Sequence, residues 1–388
     1  MLNRRILRIK AMQALYGYHM AIESMREIAA DELADHYKWD PAVHDALDKK
    51  HHEQQQRLVK NHFFETLRGQ DPAIEDADMA ERVKDHLRIL DQRISDEHRA
   101  GRKRMEEEIQ HIYRLYLKLL LIPGEIAFIE TQEKDRKAKS LKGSNDKYGY
   151  HFINNPLVKE LSTFQPLLNK TLERKIDWDA ERTELKGWYK EVWAKNETFL
   201  TYQQLGNPSL EEHIAAARHL MKQLLFKEDL IDQYMSSLDL HWSENKPIVR
   251  SMVTKTIQSF EPELDEPFEL KTLSLNEEDD FRYFRLLFDK TIQNEHEFEN
   301  MLASKTKNWD MSRVATLDKM ILKLALTEMM SFPSIPVKVT INEFIEISKQ
   351  YSTPKSKQFI NGILDVLANE LTSAGRIKKS GRGLIDNK

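Results

Sequence analysis

The segment 309–371 constrains the fold most, because it carries start and stop signals for three consecutive helices. Four apolar residues of its first part keep the 3-4-3 spacing of one helix face: Val314, Leu317, Ile321 and Leu324. Further apolar residues occupy the other faces, so we expect this helix to be central and nearly enclosed. Asp310 or Ser312 can accept hydrogen bonds from its first amides. Pro333 and Pro336 end it, because proline has no N–H to continue the hydrogen-bond ladder.

The two helices that follow also have recognisable beginnings. Thr340 and Glu343 have the spacing of a capping box, which predicts that a second helix starts there. Thr353 followed by Pro354 is typical of an N-cap with proline at the first helical position. The third helix is expected to bury one apolar face: Ile360, Ile363, Leu364, Leu367 and Leu371. Three helices with defined starts in one run predict a specific packing unit.

The composition extends this prediction to the whole chain. Of 388 residues only 12 are glycine and 12 proline, while 31% are charged, which favours an all-α protein over a sheet protein. The length allows two or three domains, and the formal net charge of −4 means that any nucleic-acid-binding surface must be local. The chain has no cysteine, which excludes a disulfide framework, thiolate catalysis and cysteine-bound zinc. No leader or long apolar run is visible, so we expect a soluble cytoplasmic protein without membrane contact.

Residues 3–20 form the second informative segment. As a helix they place five residues on one buried face: Leu7, Ala11, Ala14, Leu15 and Tyr18. Arg4, Arg5 and Arg8 are expected on a different face, with Lys10 nearby. Such an arginine-rich face can present cations to phosphate groups, and it can equally be the solvated end of a helix. Both interpretations are open on the residues alone.

Three segments together resemble the C-terminal half of a known family: LDKMILKLALTEM, SIPVKVTINEFIEISKQY and SKQFINGILDVL. They are similar to the core helix, the IP-hydrophobic-KV-hydrophobic-INE turn and helix, and the F-hydrophobic-NG-hydrophobic-LD helix of the NusB family of transcription antitermination factors. The arginine-rich start, which runs into the sequence QALY at 13–16, resembles the opening of the same family. The resemblance implies an all-α, NusB-like helical bundle, built from the N-terminal helix and the C-terminal helices, with a large additional helical insertion.

The expected organisation has four segments. Residues 1–20 are the arginine-rich N-terminal helix of the NusB-like unit, and 21–270 are a helical insertion. Residues 271–371 are the C-terminal NusB-like helical domain, and 372–388 are a basic tail that we expect to be disordered. A degenerate repeat relates Leu220–Trp242 to Leu287–Trp309, which predicts that the insertion duplicates a helix pair of the C-terminal unit.

Two basic stretches of the insertion carry open alternatives. A polar loop is expected at 131–156, where Tyr148, Tyr150 and Phe152 follow a lysine-rich run. These rings either stack RNA bases or anchor the loop. The cluster HRAGRKR at 98–104 is either a solvated helix face or a second RNA contact.

The resemblance also implies an RNA site made from the two ends of the chain. The implied RNA-contacting residues are Arg4, Arg5, Arg8, Lys10 and Tyr16 near the start, and Lys355, Lys357, Gln358 and Phe359 at the beginning of the last helix. In the family the two groups lie near one another and hold single-stranded boxA RNA. Phe359 either stacks a base or enters the core, and Lys355 stands where relatives often carry an acid.

The implied partners follow from the same resemblance. They are boxA RNA, NusE (the small-subunit ribosomal protein that pairs with NusB) and, indirectly, the RNA polymerase elongation complex. Asp318 is assigned to the contact with NusE. Gly362 lies inside a predicted helix, where glycine costs about 1 kcal/mol relative to alanine. Close packing of another helix or close approach of RNA explains a glycine at that position.

Sequence motifs for catalysis are not found. The glycines form neither a phosphate-binding loop nor a nucleophile elbow, and the histidines keep no metal-ligand spacing, so we expect no enzyme activity, cofactor or metal. The expected function is antitermination of ribosomal RNA transcription through boxA-type RNA and NusE. One alternative is a non-catalytic helical adaptor that has lost RNA binding. Another is an RNA-modification protein related to the methyltransferases that carry a NusB-like domain, against which the lack of cysteine argues.

Overall fold

The computed structural model describes residues 2–139, 148–262, 268–305 and 314–387, and every regular element in those ranges is helical. The prediction of an all-α protein is therefore confirmed. The helices are α1 (Arg4–Asp35), α2 (Lys49–Leu67), α3 (Ala77–Ala138), α4 (Pro156–Thr163), α5 (Gln165–Glu173), α6 (Arg182–Glu191), α7 (Glu197–Gln203), α8 (Leu210–Lys227), α9 (Asp229–Leu238), α10 (Trp242–Gln258), α11 (Glu277–Gln293), α12 (Glu295–Lys305), α13 (Thr316–Ser331), α14 (Val337–Tyr351) and α15 (Ser356–Ser373). Within the described ranges none of them is both long and apolar enough to cross a membrane.

The chain divides into two compact units. Unit 1 contains Met1–Ile6 and Glu108–Asp280, and unit 2 contains Leu7–Glu107 and Phe281–Lys388. The predicted segments 1–20, 21–270 and 271–371 rest on family resemblance and not on packing, and they stay a prediction.

Helix α13 is the core of unit 2. Every residue from Met320 to Met329 is buried, which confirms the prediction of a central, nearly enclosed helix. Helices α14 and α15 pack against α13 and against each other. The helix ends at Ser331, two residues before Pro333. The predicted cap residues Asp310 and Ser312 lie outside the described residues, as does Trp309.

The starts of α14 and α15 differ from the prediction. Helix α14 begins at Val337, directly after Pro336, so the predicted capping box at Thr340 and Glu343 is wrong. Both side chains bond instead to residues outside α14, Thr340 to Glu328 of α13 and Glu343 to Arg8 of α1. Helix α15 begins at Ser356, and its N-cap is Lys355 instead of Thr353.

Helices α1 and α3 are longer than the sequence indicates. Helix α1 continues past residue 20 to Asp35, and its second half packs with α2 and α3 in a cluster of apolar residues. The buried members of that cluster are Ala29, Ala30, Leu33, Ala34, Val59, Phe63, Met79, Val83 and Leu90. Helix α3 runs through Pro123 to Ala138 without ending, so the first part of the loop predicted at 131–156 is helical. Residues 140–147 of that loop lie outside the described part.

Unit 1 encloses a polar cluster around Glu130 of α3. Glu130 is fully buried, and its Oε1 accepts hydrogen bonds from the Tyr148 hydroxyl at 3.1 Å and from Gln203 Nε2 at 2.5 Å. Burial raises the pKa of Glu130 to about 7, although the bond from Tyr148 opposes the shift. Phe152 is buried in the core, and Tyr150 is half-buried. For Tyr148 and Phe152 these contacts favour the anchoring of the loop.

The basic tail is ordered, and the prediction of disorder is wrong for the part described. Ile377 is buried, Lys379 donates from Nζ to the carbonyl of Phe332 at 3.0 Å, and the Ser380 amide donates to the carbonyl of Pro333 at 3.0 Å. The tail therefore packs on the turn that joins α13 to α14.

The helix pairs α8–α9 and α11–α12 share a burial pattern. Each buried residue of α11 and α12 lies 67 positions after a buried residue of α8 or α9, as Leu287 lies after Leu220 and Phe298 after Ile231. The duplication predicted from the sequence repeat would produce such a register, and it stays a prediction.

Candidate nucleic-acid interface

Arg8 lies inside unit 2 and not on an exposed arginine face. Its side chain is 3% exposed, and it donates to the buried carboxylate of Glu328 through two parallel bonds, from Nε at 2.7 Å and from Nη2 at 2.8 Å. A third bond, from Nη1 to Glu343, measures 3.3 Å. The prediction that Arg8 shares a solvent-facing surface with Arg4 and Arg5 is wrong, because a guanidinium held in this way is covered by protein.

Glu328 is the centre of a polar network that joins four helices. Besides the two bonds from Arg8 of α1, its carboxylate accepts from the Tyr283 hydroxyl of α11 and from Thr340 Oγ1 of α14, the latter at 2.7 Å. Burial lowers the pKa of Arg8, but the hydrogen bond to Glu328 and the surrounding negative groups outweigh that effect and hold the pKa above its ordinary value. The ion pairs of the Arg8 guanidinium with Glu328 and Glu343 therefore hold α1 against α13 and α14.

The other N-terminal candidates occupy different environments. Lys10 is buried, at 2% exposure, which is unlike the predicted exposed position. Arg4 is about one-third exposed and pairs with Asp279 and, at 3.6 Å, with Asp280. Arg5 is exposed, and Tyr16 is 40% exposed. Of the predicted N-terminal set, Arg5 and Tyr16 are thus the residues most accessible to a ligand.

The candidates at the start of α15 are at the surface. Lys355, Lys357 and Gln358 are exposed, while Phe359 is half-buried. In the described structure the N-cap residue Lys355 forms no side-chain hydrogen bond with the first amides of the helix. Two cations and one amide therefore flank a helix N-terminus whose backbone dipole favours anions.

Asp318 lies beneath this helix start. It is 5% exposed, and its carboxylate accepts from Ser352 Oγ at 2.5 Å and from Ser356 Oγ at 2.7 Å. Ser352 and Ser356 end α14 and begin α15, so one carboxylate at the start of α13 holds both helix ends. A direct contact of Asp318 with NusE is a prediction that this buried position does not favour.

Gly362 is exposed on α15, and no described atom outside its own helix lies within 4 Å of the position that a Cβ would take. Close packing of another described helix therefore does not explain the glycine. Close approach of a ligand stays a prediction.

The basic cluster at 98–104 is neutralised by carboxylates. Arg102 pairs with Asp289 at 3.2 Å and Lys103 pairs with Glu107 at 3.7 Å. Two further pairs join Arg99 to Asp96 and Arg104 to Glu97. These contacts favour the interpretation of a solvated, ion-paired helix face.

Comparison with known protein families matches residues 248–369 to the NusB family. Three proteins named transcription antitermination protein NusB are similar to the chain. The protein of Chloroherpeton thalassium is 45% identical over 100 residues, which are 26% of this chain and 47% of the relative. The protein of Salinibacter ruber is 40% identical over 99 residues, 26% of this chain and 62% of the relative. The protein of Natranaerobius thermophilus is 36% identical over 94 residues, 24% of this chain and 68% of the relative.

The chain belongs to the NusB family. Its match spans about half to two thirds of these relatives, and no solved structure matches the chain. The matched range contains Asp318, Glu328 and the start of α15, whereas the N-terminal candidates precede it. The predicted NusB resemblance and a NusB-like helical fold with additional helices are therefore confirmed.

Sequence reasoning missed the polar residues that organise this NusB-like unit. Glu328, Tyr283 and Ser356 are buried or bound in networks that no single motif reveals. One signal was available for Glu328, because it is a carboxylate within a stretch of α13 that is otherwise almost wholly apolar. Among the residues that the structure describes, no group of three or more histidine, aspartate or glutamate side chains is arranged to hold a metal ion.

Proposed function

We propose that this NusB-family chain is an RNA-binding transcription antitermination factor that acts on ribosomal RNA transcription by binding boxA-type RNA together with NusE. The observation that carries the proposal is the start of α15, which lies inside the family match and exposes Lys355, Lys357 and Gln358. The names of the similar relatives support antitermination as the process.

The chemistry of the α15 start suits a phosphate chain. Single-stranded RNA offers one phosphate per nucleotide, and lysines bind it by releasing condensed counterions. The N-terminal amides of α15 add donors and a favourable dipole for one phosphate. Gln358 carries both a donor and an acceptor, which suits a base edge.

The proposed contribution of α1 divides into contact and support. Arg5 and the exposed Tyr16 ring contact RNA, since a guanidinium binds phosphate and a tyrosine ring stacks a base. Arg8 does not touch RNA in this proposal. It holds α1 on α13 and α14 through Glu328 and Glu343.

Gly362 marks a place where the ligand comes close to the backbone. It lies six residues after Ser356, on the same helix as the proposed phosphate contacts, and its surroundings are open. A glycine at an exposed helical position is unfavourable by about 1 kcal/mol relative to alanine, so a function that needs the space would explain it.

A titration of boxA RNA with and without NusE tests the proposal. The variant K355Q/K357Q should weaken RNA binding and lower the log–log salt slope by about 0.7 for each lost phosphate contact, or about 1.4 for two. The matched control is K103Q/K349Q, which removes the same charge from exposed lysines that pair with carboxylates on their own helices.

The possible results separate the candidate functions. Equal affinity and equal salt slope for K355Q/K357Q and the control would place any RNA site elsewhere. Lack of RNA binding by the unaltered chain, both alone and with NusE, would favour the helical adaptor. Arg8 is left unchanged in these variants because its loss would disturb the core of unit 2.

A further inference from the structure

The carboxylate of Asp318 is built into the junction of three helices. Asp318 belongs to the first turn of α13, Ser352 follows the last residue of α14, and Ser356 is the first residue of α15. Ser356 Oγ donates to Asp318 Oδ2 at 2.7 Å and lies 2.8 Å from Thr353 Oγ1. Ser352 Oγ lies 2.5 Å from Asp318 Oδ1 and 2.9 Å from Ser356 Oγ. The hydroxyls of the connecting turn are therefore all tied, directly or through Ser356, to one carboxylate.

This junction fixes the backbone positions of the exposed lysines at the start of α15. Ser356 is buried, at 4% exposure, while its neighbours Lys355 and Lys357 are exposed. Fixing Ser356 against α13 fixes the backbone from which both lysines extend. The turn is held by backbone bonds, such as that from the Ser356 amide to the Thr353 carbonyl at 3.0 Å, and the side-chain bonds to Asp318 tie this helix start to α13.

We propose that Asp318 is a positioning residue, which orients the start of α15 so that Lys355 and Lys357 meet the phosphates of single-stranded RNA. The inference rests on the proposed function, and it replaces a direct contact between Asp318 and a protein partner. Because a residue of this kind acts through Ser352 and Ser356, its effect depends on hydrogen bonding and not on the negative charge itself.

Substitutions of Asp318 separate hydrogen bonding from charge. In D318A the carboxylate is lost, and we expect boxA RNA affinity of the full chain to fall about tenfold, within the range of coupling in one hydrogen-bond network. In D318N the amide accepts from Ser356 and donates to Ser352, which can pass its own proton to Ser356, so most of the affinity should return. The control D85N makes the same change at an exposed aspartate of α3 and should have no effect.

A coupling experiment distinguishes positioning from a general loss of structure. If Asp318 acts through the two lysines, D318A should not lower RNA affinity further in the K355Q/K357Q background. If D318A lowers affinity by the same factor in both backgrounds, the positioning role is overturned. Circular dichroism identifies any variant that fails to fold, and in that case S356A, which removes one hydroxyl, takes the place of D318A in the cycle.

Comparison of K355Q/K357Q with D318A and S356A separates the positioning role of Asp318 from the proposed RNA site. If K355Q/K357Q weakens RNA binding but D318A and S356A do not, the inference falls and the proposed RNA site stands. If K355Q/K357Q leaves RNA binding intact, the proposed site and its positioning residue fall together. If D318A and D318N both weaken binding of NusE while RNA affinity is unchanged, Asp318 contacts the protein partner and positioning is overturned.

Discussion

Replacing Arg8 by methionine should destabilise unit 2 far more than removing an ion pair of the same geometry at the surface. Arg8 and Glu328 are 3% and 0% exposed, and two bonds of 2.7 and 2.8 Å join them. Methionine keeps an apolar stem of similar length and leaves the buried carboxylate, among its described contacts, with the hydroxyls of Tyr283 and Thr340 as donors. Breaking a buried pair in this way costs about 3–5 kcal/mol, because the remaining charge has no countercharge.

A surface pair between the same residue types provides the control. Arg93 of α3 also makes two bonds to a glutamate of α1, Glu32, at 2.9 and 3.3 Å, but the two side chains are 38% and 45% exposed. Solvent screens such a pair, so R93M should cost at most about 1 kcal/mol. Because the chain has two compact units, the assay is hydrogen exchange of α13 peptides, which reports the opening of unit 2.

A second substitution tests the cause of the loss. In R8M/E328Q the neutral amide still accepts from Tyr283 or Thr340, so the unpaired charge is removed and about 1–3 kcal/mol should be recovered. Equal costs for R8M and R93M would refute the argument from burial. If the cost of R8M/E328Q equals the sum of the costs of R8M and of E328Q alone, the unpaired charge is not the cause of the loss.

Two further predictions concern single side chains. Since burial raises the pKa of Glu130 to about 7 from an ordinary 4.5, the folded state holds the proton more tightly than the unfolded state, and stability falls as pH rises between those values, by at most about 3 kcal/mol. E130Q should therefore match the unaltered chain near pH 4 and exceed it at pH 8 in urea denaturation, and an equal difference at both pH values would contradict the burial of an ionising group. If the half-buried ring of Phe359 stacks a base, F359L should weaken boxA RNA binding by about 1–3 kcal/mol. Unchanged RNA affinity with faster exchange in α15 would assign the ring to the core.

The burial of helix α13 was predictable because its local sequence places apolar side chains on nearly every face. Apolar side chains on every face of a helix require surrounding partners, whatever those partners are. The same reasoning failed for Arg8, since helical periodicity treats one helix at a time. The group that compensates the buried charge of Arg8 is the carboxylate of Glu328, which lies 320 positions away in the sequence.

At the start of α14, tertiary contacts replace the capping box that the local sequence predicts. Thr340 and Glu343 have capping-box spacing, but Thr340 donates to Glu328 and Glu343 accepts from Arg8. Pro336, with its fixed φ, supplies the helix start one turn earlier. Family resemblance indicated the start of α15 and Asp318 as parts of the candidate site, whereas the hydrogen bonds that join Asp318 to Ser352 and Ser356 gave no periodic signal because these are polar residues at helix ends.

The separation between Arg8 and Glu328 also has a consequence for the order of events during synthesis. Ribosomes add about 5–20 residues per second, so 320 residues correspond to an interval on the order of tens of seconds. Throughout that interval α1 has been made while α13, the helix that neutralises its guanidinium, has not. Unit 2 can therefore complete its core only after α13 has left the ribosome, and the start of α15, which we propose for RNA, is made later still.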